Sequence, residues 1–306
     1  MILNKKTVKL LRASVILVLF AFCSICPVSG KTVTDEAGRT MEIPDNPERI
    51  IAFAPSVTEI VYEIGQGSKL VGVTRYSDYP AEARQLPRVG SYIHLDLEKI
   101  VALKPDLCIG VKDGNTYSVV KRLELFEIPV YVINPKNLDT VMRSIESIGA
   151  ALNQKEKSRM LTAGMKRRIK QVQKNLSGIQ NRPGVFFQIG IKPIVSVGTS
   201  TFIHDLIITA GGKNLAMGNS PYPRFSREQV IGLKPDLIVI SSMARDAMFE
   251  TERSKWLQWP SLPAVRKNRI ALVDSNLFDR PTTRLVTGLE ILAHLIHPSL
   301  FPGPEN

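Results

Sequence analysis

Leu97-Glu98-Lys99-Ile100-Val101-Ala102-Leu103-Lys104-Pro105-Asp106-Leu107 returns 130 residues later as Arg227-Glu228-Gln229-Val230-Ile231-Gly232-Leu233-Lys234-Pro235-Asp236-Leu237. Six of the eleven positions are identical, too many for a chance match of two loops. Asp96 or Ser226 is placed to cap a short helix, and Ser226 with Gln229 fits a capping box. Lys-Pro-Asp then breaks the helix, because proline offers no N–H and its ring clashes with the preceding turn. The leucine opens an apolar strand. The two halves of the chain therefore read as copies of one supersecondary unit, related by a pseudo-two-fold. Glu98 and Glu228 fill the same slot, in the first turn of each helix. The helix dipole favours a carboxylate there by about 0.3–1 kcal/mol. Two equivalent acidic knobs could also dock a symmetric basic partner.

Outward from the first copy, strands are predicted at 49–54, 70–74, 107–111 and 130–133, and helices at 56–64, 97–103 and 119–126. Ser56 is predicted to cap the first of these helices, and Gly65 and Gly67 to end it. A hairpin, 32–34 against 40–43, precedes them. Around the second copy the alternation resumes, with strands at 185–189, 194–197, 237–241 and 270–273 and helices at 202–210, 228–233 and 287–296. Strands alternating with helices predict parallel sheets of the α/β class. Between the halves, Val141, Ile145, Ile148 and Leu152 have helical spacing. A proline-free stretch over 155–176 follows, which as a helix would be about 33 Å long. The predicted architecture is α/β: two parallel-sheet lobes, 31–153 and 181–306, joined by a single long α-helix within 154–180. Lys166, Arg167, Arg168, Lys170 and Lys174 make that helix basic. A solvated face is the favoured reading over nucleic-acid binding.

The chain has 306 residues, 44% hydrophobic and 22% charged. That mixture excludes a disordered, collagenous or multi-span membrane protein. Lys+Arg number 40 against 28 Asp+Glu, for a net charge of +12. Part of this excess sits in a leader. Lys5, Lys6, Lys9 and Arg12 precede an apolar run, and Val28-Ser29-Gly30 offers small residues for cleavage after Gly30. Residues 1–30 are thus predicted to be a signal peptide, and the mature chain to carry +8 in the periplasm. The alternatives are a retained transmembrane helix and a lipid anchor at Cys23 or Cys26. Cys108 is then the one remaining thiol, read as an inert strand residue.

The segments Arg49-Ile50-Ile51-Ala52-Phe53-Ala54-Pro55-Ser56-Val57-Thr58-Glu59 and Val71-Gly72-Val73-Thr74-Arg75-Tyr76-Ser77-Asp78-Tyr79-Pro80 carry a resemblance. So do Phe187-Gln188-Ile189-Gly190, Ala210-Gly211-Gly212-Lys213-Asn214 and Phe225-Ser226-Arg227-Glu228-Gln229-Val230. Together they resemble the periplasmic binding proteins that feed ABC importers of vitamin B12 and ferric siderophores, and most closely the B12-binding branch. The resemblance spans about residues 47–298. It implies the class III, helical-backbone fold, with the ligand held between the lobes. It also implies that Glu98 and Glu228 meet arginines of a dimeric membrane permease.

By the same resemblance Tyr76, Tyr92 and Tyr222 are aromatic ligand contacts, Arg280 a polar one, and Ser56 joins them. The implied cargo is a corrinoid such as cobalamin, bound by a monomer with no resident cofactor. The late segment Asn276-Leu277-Phe278-Asp279-Arg280 departs from the B12-binding pattern, with Asn276 for an Asp and Leu277 for a Trp. Val111 and Ile189 also stand where that pattern has aromatics. A siderophore or haem receptor is the alternative, with Arg75, Arg224 and Arg280 clamping an anionic chelate.

An enzyme is the competing class. No Gly-x-Ser-x-Gly, phosphate-binding loop or Gly-x-Gly-x-x-Gly is present. Glu290, His294 and His297 could share a helix face, but capping or solvated histidines are the favoured reading there, and no metal site is expected. His94, before Glu98, is read as a loop residue near the cleft mouth.

Overall fold

In the first half of the chain, β3 (Ile50–Ala52) lies between β4 (Leu70–Val73) and β5 (Leu107–Val111), and β6 (Val130–Ile133) completes a parallel sheet of order β4-β3-β5-β6. The computed structural model describes residues 30–114, 117–241 and 247–301. The expected leader, apart from Gly30, lies outside the described residues, as do Cys23 and Cys26. All residues of β3, β5 and β6 are buried, as strands covered on both faces must be. Strand β6 is an edge, and the predicted hairpin, β1 (Gly30–Thr34) with β2 (Thr40–Pro44), protects it. Glu36 at the hairpin turn donates its N–H to Val132 O at 2.9 Å, and its carboxylate accepts the Asn134 N–H at 2.6 Å. Occupied in this way, the edge offers less to a stray strand.

Helix α1 (Pro55–Glu63) follows β3. Ser56 does not cap it. Ala54 is the N-cap, with no side-chain bond, and Pro55 opens the helix. Proline at the first helical position brings its φ pre-set and loses no hydrogen bond, so the helix starts two residues earlier than a serine cap would place it. Helices α2 (Leu97–Ala102) and α3 (Tyr117–Leu125) complete the lobe.

Helix α4 (Leu138–Ala151) carries an Asn137–Thr140 capping box, and α5 (Lys155–Asn175) is the long predicted helix. Ser158, Thr162, Met165, Ile169 and Val172 form its buried stripe, while Lys166, Arg167, Lys170 and Lys174 are exposed. The exposed Arg168 pairs with Glu290 at 2.6 Å.

The second sheet is built from β7 (Gly184–Gly190), β8 (Ile194–Ser196), β9 (Lys213–Asn214), β10 (Arg224–Phe225), β11 (Leu237–Ser241) and β12 (Ile270–Val273). Its order is β10-β8-β7-β11-β12, with β9 beside the start of β7. The core strands β7, β9, β11 and β12 are parallel; β8 and β10 extend it antiparallel. Around it lie α6 (Phe202–Thr209), α7 (Arg227–Leu233), α8 (Ala247–Leu257), α9 (Pro263–Arg266), α10 (Ser275–Phe278) and α11 (Leu285–Ile296). Helix α8 is new relative to the sequence reading, since its apolar residues do not recur at a helical period. Its Trp256 is fully buried and donates to Gln188 at 2.9 Å.

The repeat has a structural cause. Asp96 caps α2 through the Lys99 N–H, and Ser226 with Gln229 forms the capping box of α7. Asp106 then accepts the N–H groups of Glu48 and Arg49 at 2.7 and 3.0 Å, tying the helix exit to the start of β3. Asp236 accepts the Gly184 N–H at 3.0 Å, tying it to the start of β7.

Candidate functional site

Parallel α/β sheets gather loops at the carboxyl ends of their strands, and crevices form there. Three such loops meet here. Ala54 to Ser56 leave β3, Arg75 and Tyr76 leave β4, and the segment from Ser275 to Arg280 follows β12. With Ser91, Tyr92 and Ile93 they enclose an inter-lobe cleft of about 380 Å³. The 91–93 tip is fixed by a tight loop. Gly90 has φ 110°, where a Cβ would strike the backbone of His94. The Ser91 N–H donates to His94 O at 2.7 Å, and the Ser91 hydroxyl accepts the His94 N–H at 3.0 Å.

Four expected contacts, Ser56, Tyr76, Tyr92 and Arg280, line this cleft together. Tyr76 is 42% exposed and offers its ring to the cavity. The Tyr92 ring lies against Gly114, at a position where any Cβ would fall within the ring. Burial first, then the nearby Tyr222 and Asp113, push the Tyr92 phenol pKa well up, so this hydroxyl stays protonated. Tyr222 does not line the cavity itself. Its phenol pKa is raised by burial first, then by the charges of Asp113 of the opposite lobe and Asp279 of its own.

Arg280 is only 8% exposed. Its Nη1 donates to Glu59 Oε1 at 2.7 Å, and its Nη2 to Asp78 Oδ1 at 2.8 Å and Tyr76 O at 3.0 Å. The guanidinium that reaches the cleft wall is therefore already balanced by carboxylates of the opposite lobe. Several lining residues are not marked as contacts by the sequence, among them Ser91, Ser275, Asp279 and Ile93. Asp279 was visible only as the neighbour of Arg280 in a quoted segment. Its carboxyl pKa is raised to about 7, chiefly by burial, against a 3.0 Å bond from the Ser241 hydroxyl and the charge of Arg280. Ile93 had no motif to mark it. Arg75 is an exposed cation on the wall, whereas Arg224 on β10 does not line the cavity.

Glu98 and Glu228 are exposed, in the first turns of α2 and α7, and neither lines the cleft. The Glu228 pKa is lowered by its own backbone N–H and by the Ser226 hydroxyl. His294 bonds to Phe301 O at 2.7 Å, His297 to Gly211 O at 3.2 Å, and Glu290 to Arg168. All three side chains of the candidate face are thus engaged elsewhere in the fold. Among the described residues no three His, Cys, Asp or Glu side chains converge on a metal-sized site. Cys108 is fully buried, and burial raises its thiol pKa well above the ordinary value, which makes it a poor nucleophile.

Two α/β lobes on a helical spine, with a cleft at their strand ends, define a ligand-binding fold, and residues 50–277 match the model of a periplasmic binding protein family. The chain belongs to the periplasmic binding protein family. Periplasmic binding proteins are substrate-binding transport proteins, not enzymes, and membership places the chain outside the cytoplasm with a membrane permease as partner. A Bacillus subtilis relative, described as an uncharacterized ABC transporter substrate-binding lipoprotein, is 30% identical over 276 residues, covering 88% of this chain and 86% of its own. The periplasmic vitamin B12-binding protein BtuF of Vibrio cholerae superposes with a TM-score of 0.75 at 29% identity, covering 83% of this chain and 98% of its own. A periplasmic heme-binding protein from Pseudomonas aeruginosa superposes equally well, with a TM-score of 0.75 at 26% identity over 83% of this chain and 94% of its own. The fold and general role are therefore family properties.

Proposed function

We propose that this periplasmic binding protein captures a corrinoid of the cobalamin type in its inter-lobe cleft and hands it to a dimeric ABC permease. The observation that carries the choice is the state of Arg280. An anionic ferric chelate or haem needs uncommitted cations around it. Here Glu59 and Asp78 offset the Arg280 guanidinium, Asp279 stands beside it, and Arg75 is the exposed cation of the wall. A corrinoid instead presents a broad flat ring with amide arms. Tyr76 and Tyr92 supply ring faces for the first, and Ser56, Ser91 and Asn276 supply hydroxyls and an amide for the second. Tyr222, near Tyr92 but outside the cavity lining, completes the aromatic set from the other lobe. Arg280 meets the ligand as a neutralised wall rather than as a clamp.

Arg75 and the heme-binding relative support the alternative cargo, so the test must offer both. Native mass spectrometry of the mature protein with cyanocobalamin, cobinamide, haem and a ferric hydroxamate reads the choice directly. Retention of a corrinoid, released unchanged, is the expected result. Tight retention of haem or the ferric chelate, with no corrinoid bound, assigns the cleft to iron.

The same reading assigns docking to Glu98 and Glu228, exposed, one on each lobe at equivalent helix starts. The monomer would present both to one permease dimer.

A further inference from the structure

Beneath the cleft, one carboxylate touches two arginines of the other lobe. Glu59 lies on α1 of the first lobe and is completely buried. Its Oε1 accepts from Arg280 Nη1 at 2.7 Å and from Arg284 Nη2 at 2.8 Å, and its Oε2 accepts from Arg284 Nε at 3.0 Å. One turn further on, Glu63 accepts the Thr283 hydroxyl at 2.6 Å. Spacing of four residues puts both carboxylates on one helix face, aimed at the 280–284 segment. Each arginine in turn holds the loop after β4. Arg280 binds Tyr76 O and Asp78, and Arg284 stacks on the Tyr79 ring with its guanidinium carbon 3.9 Å from the centroid.

From this geometry we infer that Glu59 is a positioning residue for ligand capture: it sets the spacing of the two cleft walls through Arg280 and Arg284, with no ligand needed. Three features support the assignment. The contacts run between lobes, so they act on the coordinate along which the cleft would open. Both guanidinium forks are engaged at charge-assisted distances, which restricts direction as well as separation. Arg280 and Tyr76, which share the strut, also line the cavity. Wall spacing and ligand contact therefore depend on the same atoms. A buried ion pair is weak support for stability as such, and fixing one arrangement among several is its better-attested use.

The experiment reads lobe separation without reference to any ligand. Nitroxides are placed at Arg122 and Arg266, exposed residues of the first and second lobes, while buried Cys108 stays unlabelled. Electron–electron distance measurement on the unliganded mature protein should give a narrow distribution. Glu59→Gln keeps the shape but removes the charge, and should broaden that distribution and shift it to longer distances. Arg284→Lys, which keeps the charge but loses the fork, should broaden it less, and carries the test if Glu59→Gln does not fold. In the same variants bound cyanocobalamin should leave about tenfold faster, since changes at a binding site fall mostly on dissociation. A folded Glu59→Gln, or in its place a folded Arg284→Lys, with the wild-type distance distribution would overturn the assignment. If cyanocobalamin never binds the wild type, the ligand reading fails, while the distance measurement still decides the strut.

Discussion

Lys104 and Lys234, 130 residues apart, both adopt the left-handed backbone conformation, with φ 47° and 50°. Each follows the short helix of its repeat copy, and each delivers a Pro-Asp pair to the start of a central strand. The sequence repeat is thus the imprint of one backbone turn used twice. A β-branched residue fits that turn poorly. Lys104→Val or Lys234→Val should cost about 1–3 kcal/mol, while the glycine variants should lie near wild type. Urea denaturation of the four single variants checks this, and equal stability of the valine and glycine forms would contradict it.

Gly114 makes room for the Tyr92 ring of the cleft wall. Gly114→Ala must displace the Tyr92 ring, because the added methyl falls within it. Corrinoid affinity should drop several-fold with little change in secondary structure. Calorimetry beside circular dichroism separates the two effects.

Tyr76 is exposed in the cleft, so its ring can be removed at little cost to the fold. A packed aromatic contact contributes about 0.5–1.5 kcal/mol beyond its buried area. Tyr76→Ala should therefore weaken corrinoid binding by a few-fold to about tenfold, with an unchanged melting temperature. Unaltered affinity would remove Tyr76 from the site.

Asp279 makes stability depend on pH. Unfolded, its carboxyl releases a proton near 3.8; folded, it holds the proton to about 7. Between those values the folded state binds more protons, so this residue's contribution falls as pH rises through the window and levels off above it. Asp279→Asn should lose that slope. Denaturation midpoints of wild type and variant at pH 4.5, 6 and 8 should diverge progressively with rising pH, the variant becoming relatively more stable. A constant offset would assign the shift elsewhere.

Permease docking, proposed at Glu98 and Glu228, should be separable from ligand binding. Glu98 and Glu228 are exposed, outside the cleft, and hold little of the fold. The double variant Glu98→Ala, Glu228→Ala should abolish uptake and permease association while ligand affinity stays at the wild-type value, since a broken interfacial charge pair can cost about 2–5 kcal/mol. Normal transport by the double variant, or loss of binding in solution, would contradict this role.

The order of elements was legible along the chain because local rules produce it. Apolar runs, capping residues and Lys-Pro-Asp breakers marked the lobes, the spine helix and the paired helix starts at Glu98 and Glu228. Helix α8 escaped because its apolar residues follow no helical period, and the cap of α1 shifted to Ala54 because Pro55 starts a helix more readily than Ser56 caps one. What only the tertiary structure decided is how distant groups balance one another. The resemblance makes Arg280 a polar ligand contact, yet Glu59, 221 residues away, takes up its charge. Asp279 reads as an ordinary acid, yet burial beside Ser241 lifts its pKa toward neutrality. Electrostatics depends on distance and dielectric, and neither is encoded by position along a chain until the lobes close on each other.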